Sequence, residues 1–163
     1  MRVVAWLTVA AVLVAHPAAA TGWATIDPGR STGEEVRARF GAPTRTETQK
    51  LEGQDAAQWI YEGAQAPVGM RRMTVELGLV VDGAYRKDVV RALRLEPKPG
   101  IFTRRVVVTG WGDPFRTARE GESDVFVYLE GLLVYFDKDG FDSRLMLFTP
   151  PQPVPGTTES PRR

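Results

Sequence analysis

The chain has 163 residues, with 21 Lys and Arg against 20 Asp and Glu, one histidine and no cysteine. So even a balance, with the basic residues scattered, offers no concentrated positive field and excludes a nucleic-acid partner. The absence of cysteine excludes disulfides, iron–sulfur clusters and thiolate zinc sites.

The first twenty residues read as an export leader, cleaved after Ala20. Met1-Arg2 supplies a positive start, residues 3–14 are apolar, and Pro17-Ala18-Ala19-Ala20 supplies small residues for a signal peptidase. The apolar run is too short to cross a bilayer comfortably, so no membrane span is expected. No cysteine stands at the cleavage point, so no lipid anchor is expected either. His16 lies inside the leader, and the mature protein would have neither His nor Cys. That removes Ser-His triads, Cys-His dyads and His-ligated metals, so no cofactor is expected. The destination is the periplasm or the medium.

Residues 21–98 read as a first repeat. Asp27-Pro28-Gly29-Arg30 is a turn, and Ser31 to Glu34 and Thr32 to Glu35 form two overlapping capping boxes that open a helix. Val36 and Phe40 share one helical face, and Gly41 followed by Pro43 stops the helix. Residues 47–55 form a polar loop. In the next run Trp59 and Tyr61 alternate with Gln58 and Glu62, which puts the aromatic pair on the core side of a strand. Met73, Val75, Leu77, Leu79 and Val81 share one parity in the second strand, and Asp82-Gly83 marks a hairpin. Residues 89–95 return as the third strand, although Arg91 shares the parity of Leu93 and Leu95 and blurs the inward face.

Lys98-Pro99-Gly100 separates a second repeat over residues 99–149. Phe40-Gly41-Ala42-Pro43-Thr44-Arg45-Thr46 recurs there as Trp111-Gly112-Asp113-Pro114-Phe115-Arg116-Thr117. Such self-similarity indicates a duplicated supersecondary unit, with Phe40, Gly41, Pro43, Trp111, Gly112 and Pro114 as its structural motif. Residues 103–111 are β-branched enough to favour a strand locally. The repeat nonetheless aligns Val107 and Trp111 with Val36 and Phe40, and predicts a helix. Residues 124–129, 132–136 and 144–148 are three further strands.

Aligning Tyr61 with Tyr128 aligns Trp59 with Phe126. Val125, Val127 and Leu129 then lie on the outer face, where apolar side chains need covering by the other repeat or by a partner. If a partner exists, those three residues form its binding site. Asp137, Asp139 and Asp142 have the spacing that begins a calcium loop, but the bidentate glutamate position is Phe148, and an Asp-Gly hairpin is the favoured reading. No metal is assigned. Residues 150–163 form a Pro-rich tail that cannot bury a core and is expected to be disordered.

Capped helix, Phe-Gly-x-Pro, polar loop, Trp-x-Tyr and an Asp-Gly hairpin together resemble the SmpA/OmlA (BamE-like) domain family. Their doubling resembles the tandem fold of the β-lactamase inhibitory protein. The resemblance spans about residues 26–149 and implies helices packed on one side of an antiparallel sheet, with protein binding and no catalysis. It departs at the missing lipoprotein cysteine and the missing disulfides, so neither tether nor target carries over. The expectation is an α+β fold of two tandem helix–three-strand repeats. Its expected function is an exported, non-enzymatic protein-binding or assembly factor whose partner is another protein of the bacterial cell envelope. The competing expectation is a carboxylate-dependent hydrolase of envelope glycans or esters, using Asp137, Asp139 and Asp142.

Overall fold

The computed structural model describes residues 22–51 and 53–151. The expected leader and most of the Pro-rich tail lie outside the described residues. In chain order the elements are α1 (Gly33–Phe40), β1 (Arg45–Leu51), β2 (Gln54–Glu62), β3 (Met70–Val81), β4 (Ala84–Pro97), α2 (Arg104–Trp111), β5 (Arg116–Glu120), β6 (Ser123–Tyr128), β7 (Leu132–Phe136) and β8 (Ser143–Phe148).

The expected α+β fold of two helix–three-strand repeats is not what forms. The molecule is mostly one eight-stranded antiparallel sheet, ordered β1-β2-β3-β4-β8-β7-β6-β5, with only two short helices. Two of the strands carry no alternation that a sequence reading could detect. β1 is Arg-Thr-Glu-Thr-Gln-Lys-Leu and β5 is Arg-Thr-Ala-Arg-Glu, both nearly exposed along their length. They form the two sheet edges, where polar and charged residues suppress pairing with other chains. The loop expected at residues 47–55 is therefore most of β1, its turn and the start of β2. Where β4 pairs with β8, the strands of both halves join into one sheet.

Cross-strand register divides the sheet into two faces. One row runs Phe126, Val134, Met146, Leu95, Met73, Tyr61, and another runs Tyr128, Leu132, Phe148, Leu93, Val75, Trp59. These side chains, with Val36 of α1 and Val107 of α2, make one hydrophobic cluster. Both helices therefore cover the same face. Burying aliphatic and aromatic groups there is the main favourable contribution to folding, at about 25 cal/mol per Å².

Each helix is specified locally. Thr32 caps α1: its Oγ1 accepts from the Glu35 amide at 3.4 Å, while the Glu35 carboxylate accepts from the Thr32 amide at 2.7 Å. Of the two overlapping boxes only this one forms, because the Ser31 hydroxyl accepts from the Asp27 amide instead. Thr103 caps α2 through the Val106 amide. Local β preference in Val106-Val107-Val108 is overridden by complete burial of Val107.

Both helices stop at a glycine, Gly41 at φ +77°, ψ −160° and Gly112 at φ +79°, ψ −169°. This is not the left-handed helical conformation common at the glycine that ends a helix. With ψ near 180° it is a more restrictive region, essentially open only to glycine. Each glycine carbonyl then accepts a core tyrosine hydroxyl, Tyr61 to Gly41 at 3.2 Å and Tyr128 to Gly112 at 3.0 Å. Phe40 stacks on Trp23 and meets Tyr61 edge-on, and Trp111 lies against Phe102 and Phe148. Pro43 and Pro114 are the half-buried residues of the otherwise exposed connections to β1 and β5.

Two irregularities correct the strand reading. Pairing passes from Glu76–Ala92 to Leu77–Val90, leaving Arg91 as an extra residue, which is why its parity clashed with that of Leu93. A second shift follows at Gly78, so Leu79 and Val81 are half-buried rather than in the core. Asp82 and Gly83, both at positive φ, form the tight turn that the hairpin signal predicted.

Candidate functional site

The face without helices has two unlike halves. One register row crosses the whole sheet: Arg116, Val127, Leu133, Leu147, Arg94, Thr74, Ile60, Arg45. A second runs Ala118, Val125, Tyr135, Leu145. The β8-β7-β6-β5 half is therefore apolar at its centre, and Val127, Leu133, Tyr135, Leu145 and Leu147 are all half-buried.

The other half is occupied by ion pairs. Glu62 binds Arg45 and, at 2.9 Å, Arg72, which lies 3.7 Å from Glu96. Glu76, only 8% exposed, binds Arg91 at 2.6 Å and lies 3.9 Å from Arg94. Opposite charges paired across strands satisfy one another, and each exposed pair contributes only about 0–1 kcal/mol.

Of the residues expected to meet a partner, Val127 is on this face and accessible. Val125 shares the face but is only 4% exposed, wedged between Ala118 and Tyr135 in its row. Leu129 follows the last β6–β7 pair and sits half-buried in the turn at the end of the face. The structure adds Leu133, Tyr135, Leu145 and Leu147. Their signal was present in sequence: β7 and β8 are apolar at both parities, so whichever parity enters the core, the other must line an apolar outer face.

Tyr135 is the aromatic centre of the patch. Burial, then Glu120, raise the pKa of its hydroxyl above 10.0, against Arg94 and Arg144, which lower it. The Arg144 guanidinium lies 5.7 Å from its ring centre, and Nε donates to Ser123 Oγ at 2.9 Å.

Two aspartates of the calcium-like run are engaged by backbone amides, Asp137 in its own loop and Asp142 from the linker between the halves. Asp137 Oδ1 accepts from the Phe141 amide at 3.0 Å, and Asp142 Oδ1 accepts from the Gly100 amide at 3.0 Å. Asp139 is exposed. Among the described residues no group of three or more His, Cys, Asp or Glu side chains is placed to hold a metal ion. Nor, among them, is any helix long and apolar enough to cross a membrane.

No family model matches the chain, and no curated protein does. Among solved structures it is similar to the crystal structure of YjgB, a DUF4309 family protein from Bacillus subtilis. The two are 15% identical with a TM-score of 0.49, over 77% of this chain and 83% of that one.

Proposed function

We propose that this chain is an exported, non-catalytic protein-binding factor of the cell envelope, and that it docks its partner on the helix-free face of the β8-β7-β6-β5 half. One observation carries the reading. Val127, Leu133, Tyr135, Leu145 and Leu147 form a contiguous, half-buried apolar patch on the face that neither helix covers. Contiguous apolar patches on soluble proteins mark interaction sites, and a central tyrosine is a favoured anchor of such interfaces. Export rests on the leader, and the envelope is where an exported, unlipidated binder would meet its partner. Of the carboxylates of the hydrolase reading, Asp137 and Asp142 are engaged by backbone amides and Asp139 is exposed, and no observation favours that alternative.

Affinity capture from envelope extract, with wild-type protein and Val127→Asp, tests the proposal. A carboxylate within a dry interface is unfavourable by about 2 kcal/mol or more, so capture of the partner should be lost while the far-ultraviolet circular dichroism spectrum is unchanged. Capture that is equal for both proteins would refute the docking surface.

A further inference from the structure

The two halves of the helix-free face also differ in what their charges are doing, and this difference defines the partner. Across β1 to β4 arginines of this face are matched to carboxylates: Arg45 and Arg72 to Glu62, Arg91 to Glu76. Around the apolar patch they are not. Arg116 is in register with Val127 at the outer end of the first row. Arg144 projects beside Tyr135 and Ser123. Neither forms an ion pair among the described residues. Arg94, at the inner border, has its carboxylate 3.9 Å away. Glu120, an acidic group on this rim, is in register with Ser123 and lies close enough to Tyr135 to raise its pKa.

The geometry points to an occupant of matching pattern. We propose that the docking face takes a protein segment with an apolar centre flanked by carboxylates, the centre seated on Leu133, Tyr135, Leu145 and Leu147 and the acids against Arg116 and Arg144. This inference rests on the protein-binding reading above and adds the charge of the partner to it. Rim charges act on encounter and choice of partner, whereas the apolar centre decides whether a complex forms at all.

Immobilised synthetic peptides with one apolar core, flanked by glutamates, lysines or serines, probe this directly. The purified exported protein should prefer the glutamate-flanked set by about tenfold over the lysine-flanked set at low salt, and the preference should shrink in concentrated salt. Arg116→Glu and Arg144→Glu should each reduce the preference, and the double variant should reverse it. The Arg116 side chain makes no hydrogen bond or ion pair within the described residues, so its variant tests the rim without endangering the fold. Leu133→Asp should abolish binding of all three sets. Equal binding of the acidic and basic sets, or a preference for lysine, overturns the acidic partner. In that case, loss of envelope capture by Val127→Asp would still uphold protein binding. Concentration-dependent self-association by sedimentation, or binding to anionic vesicles, abolished by Leu133→Asp, would assign the face to a second copy or to a lipid surface and overturn the proposal.

Discussion

Replacing Gly41 with alanine separates backbone strain from crowding. At φ +77° and ψ −160° the residue occupies a region in which an L-amino acid is strained by about 1–3 kcal/mol. A Cβ added there, or at Gly112, would meet no atom within 4 Å. No packing penalty is added, so Gly41→Val should cost little more than Gly41→Ala. For a domain of this size Tm falls by about 3–4 °C per kcal/mol, so each alanine should lower it by roughly 3–12 °C. The chain can relieve the strain by turning the Gly41 peptide, but that moves its carbonyl away from the Tyr61 hydroxyl 3.2 Å away. Gly41→Ala and Tyr61→Phe should therefore be non-additive, whereas Gly41→Ala and Gly112→Ala, in separate halves, should add. Thermal and urea unfolding followed by circular dichroism measure all six variants, four single and two double. If Gly41→Ala leaves Tm within about 1 °C of wild type, the backbone accepts a side chain there and the reasoning fails.

The tyrosine–glycine hydrogen bonds should each contribute about 0.5–1.5 kcal/mol, so Tyr61→Phe and Tyr128→Phe each lower stability by that amount in urea titrations. Burial raises the pKa of both hydroxyls above 10.0, with Arg37 opposing the rise at Tyr61 and Asp113 and Glu130 adding to it at Tyr128. The folded state thus holds these protons more tightly than the unfolded chain does. That stabilisation is fully present below pH 10.0 and is lost as pH rises through the folded pKa, so Tm should fall above pH 10.0, and less steeply in the double phenylalanine variant. Arg104→Ala should cost about 2 kcal/mol or more, since its guanidinium lies 4.7 and 4.5 Å from the Phe126 and Phe136 ring centres and 2.8 Å from Asp124. Arg104→Lys should recover only part of it, because an ammonium lacks the planar fork that also reaches the Gly140 carbonyl. An unchanged urea midpoint for Arg104→Ala would show that the rings need no cationic cover.

Local chemistry was legible wherever one residue type answers one local demand. The Thr32–Glu35 box, the Asp82-Gly83 turn and the glycine ends of both helices are of this kind. So is the inward parity of Trp59 and Tyr61, because alternation records which side of a strand meets water, and the repeat carries it to Phe126 and Tyr128. Even the helix at residues 104–111 could be read, since an internal copy of the motif outweighed its β-branched residues.

The number of strands and their union into one sheet were decided only in three dimensions. β1 and β5 exist because a neighbouring strand offers their backbones hydrogen-bond partners, and nothing in their polar side chains records that offer. The exact φ, ψ of Gly41 and Gly112 likewise depend on a tyrosine hydroxyl arriving from a strand far along the chain. The same holds for the candidate site. Each of β6, β7 and β8 shows an apolar outer parity in sequence, but only register places Val127 beside Leu133 and Leu147, and buries Val125 against Ala118 and Tyr135. A patch is a sum over neighbouring strands, and neighbours in a sheet are chosen by tertiary pairing rather than by the order of residues along the chain.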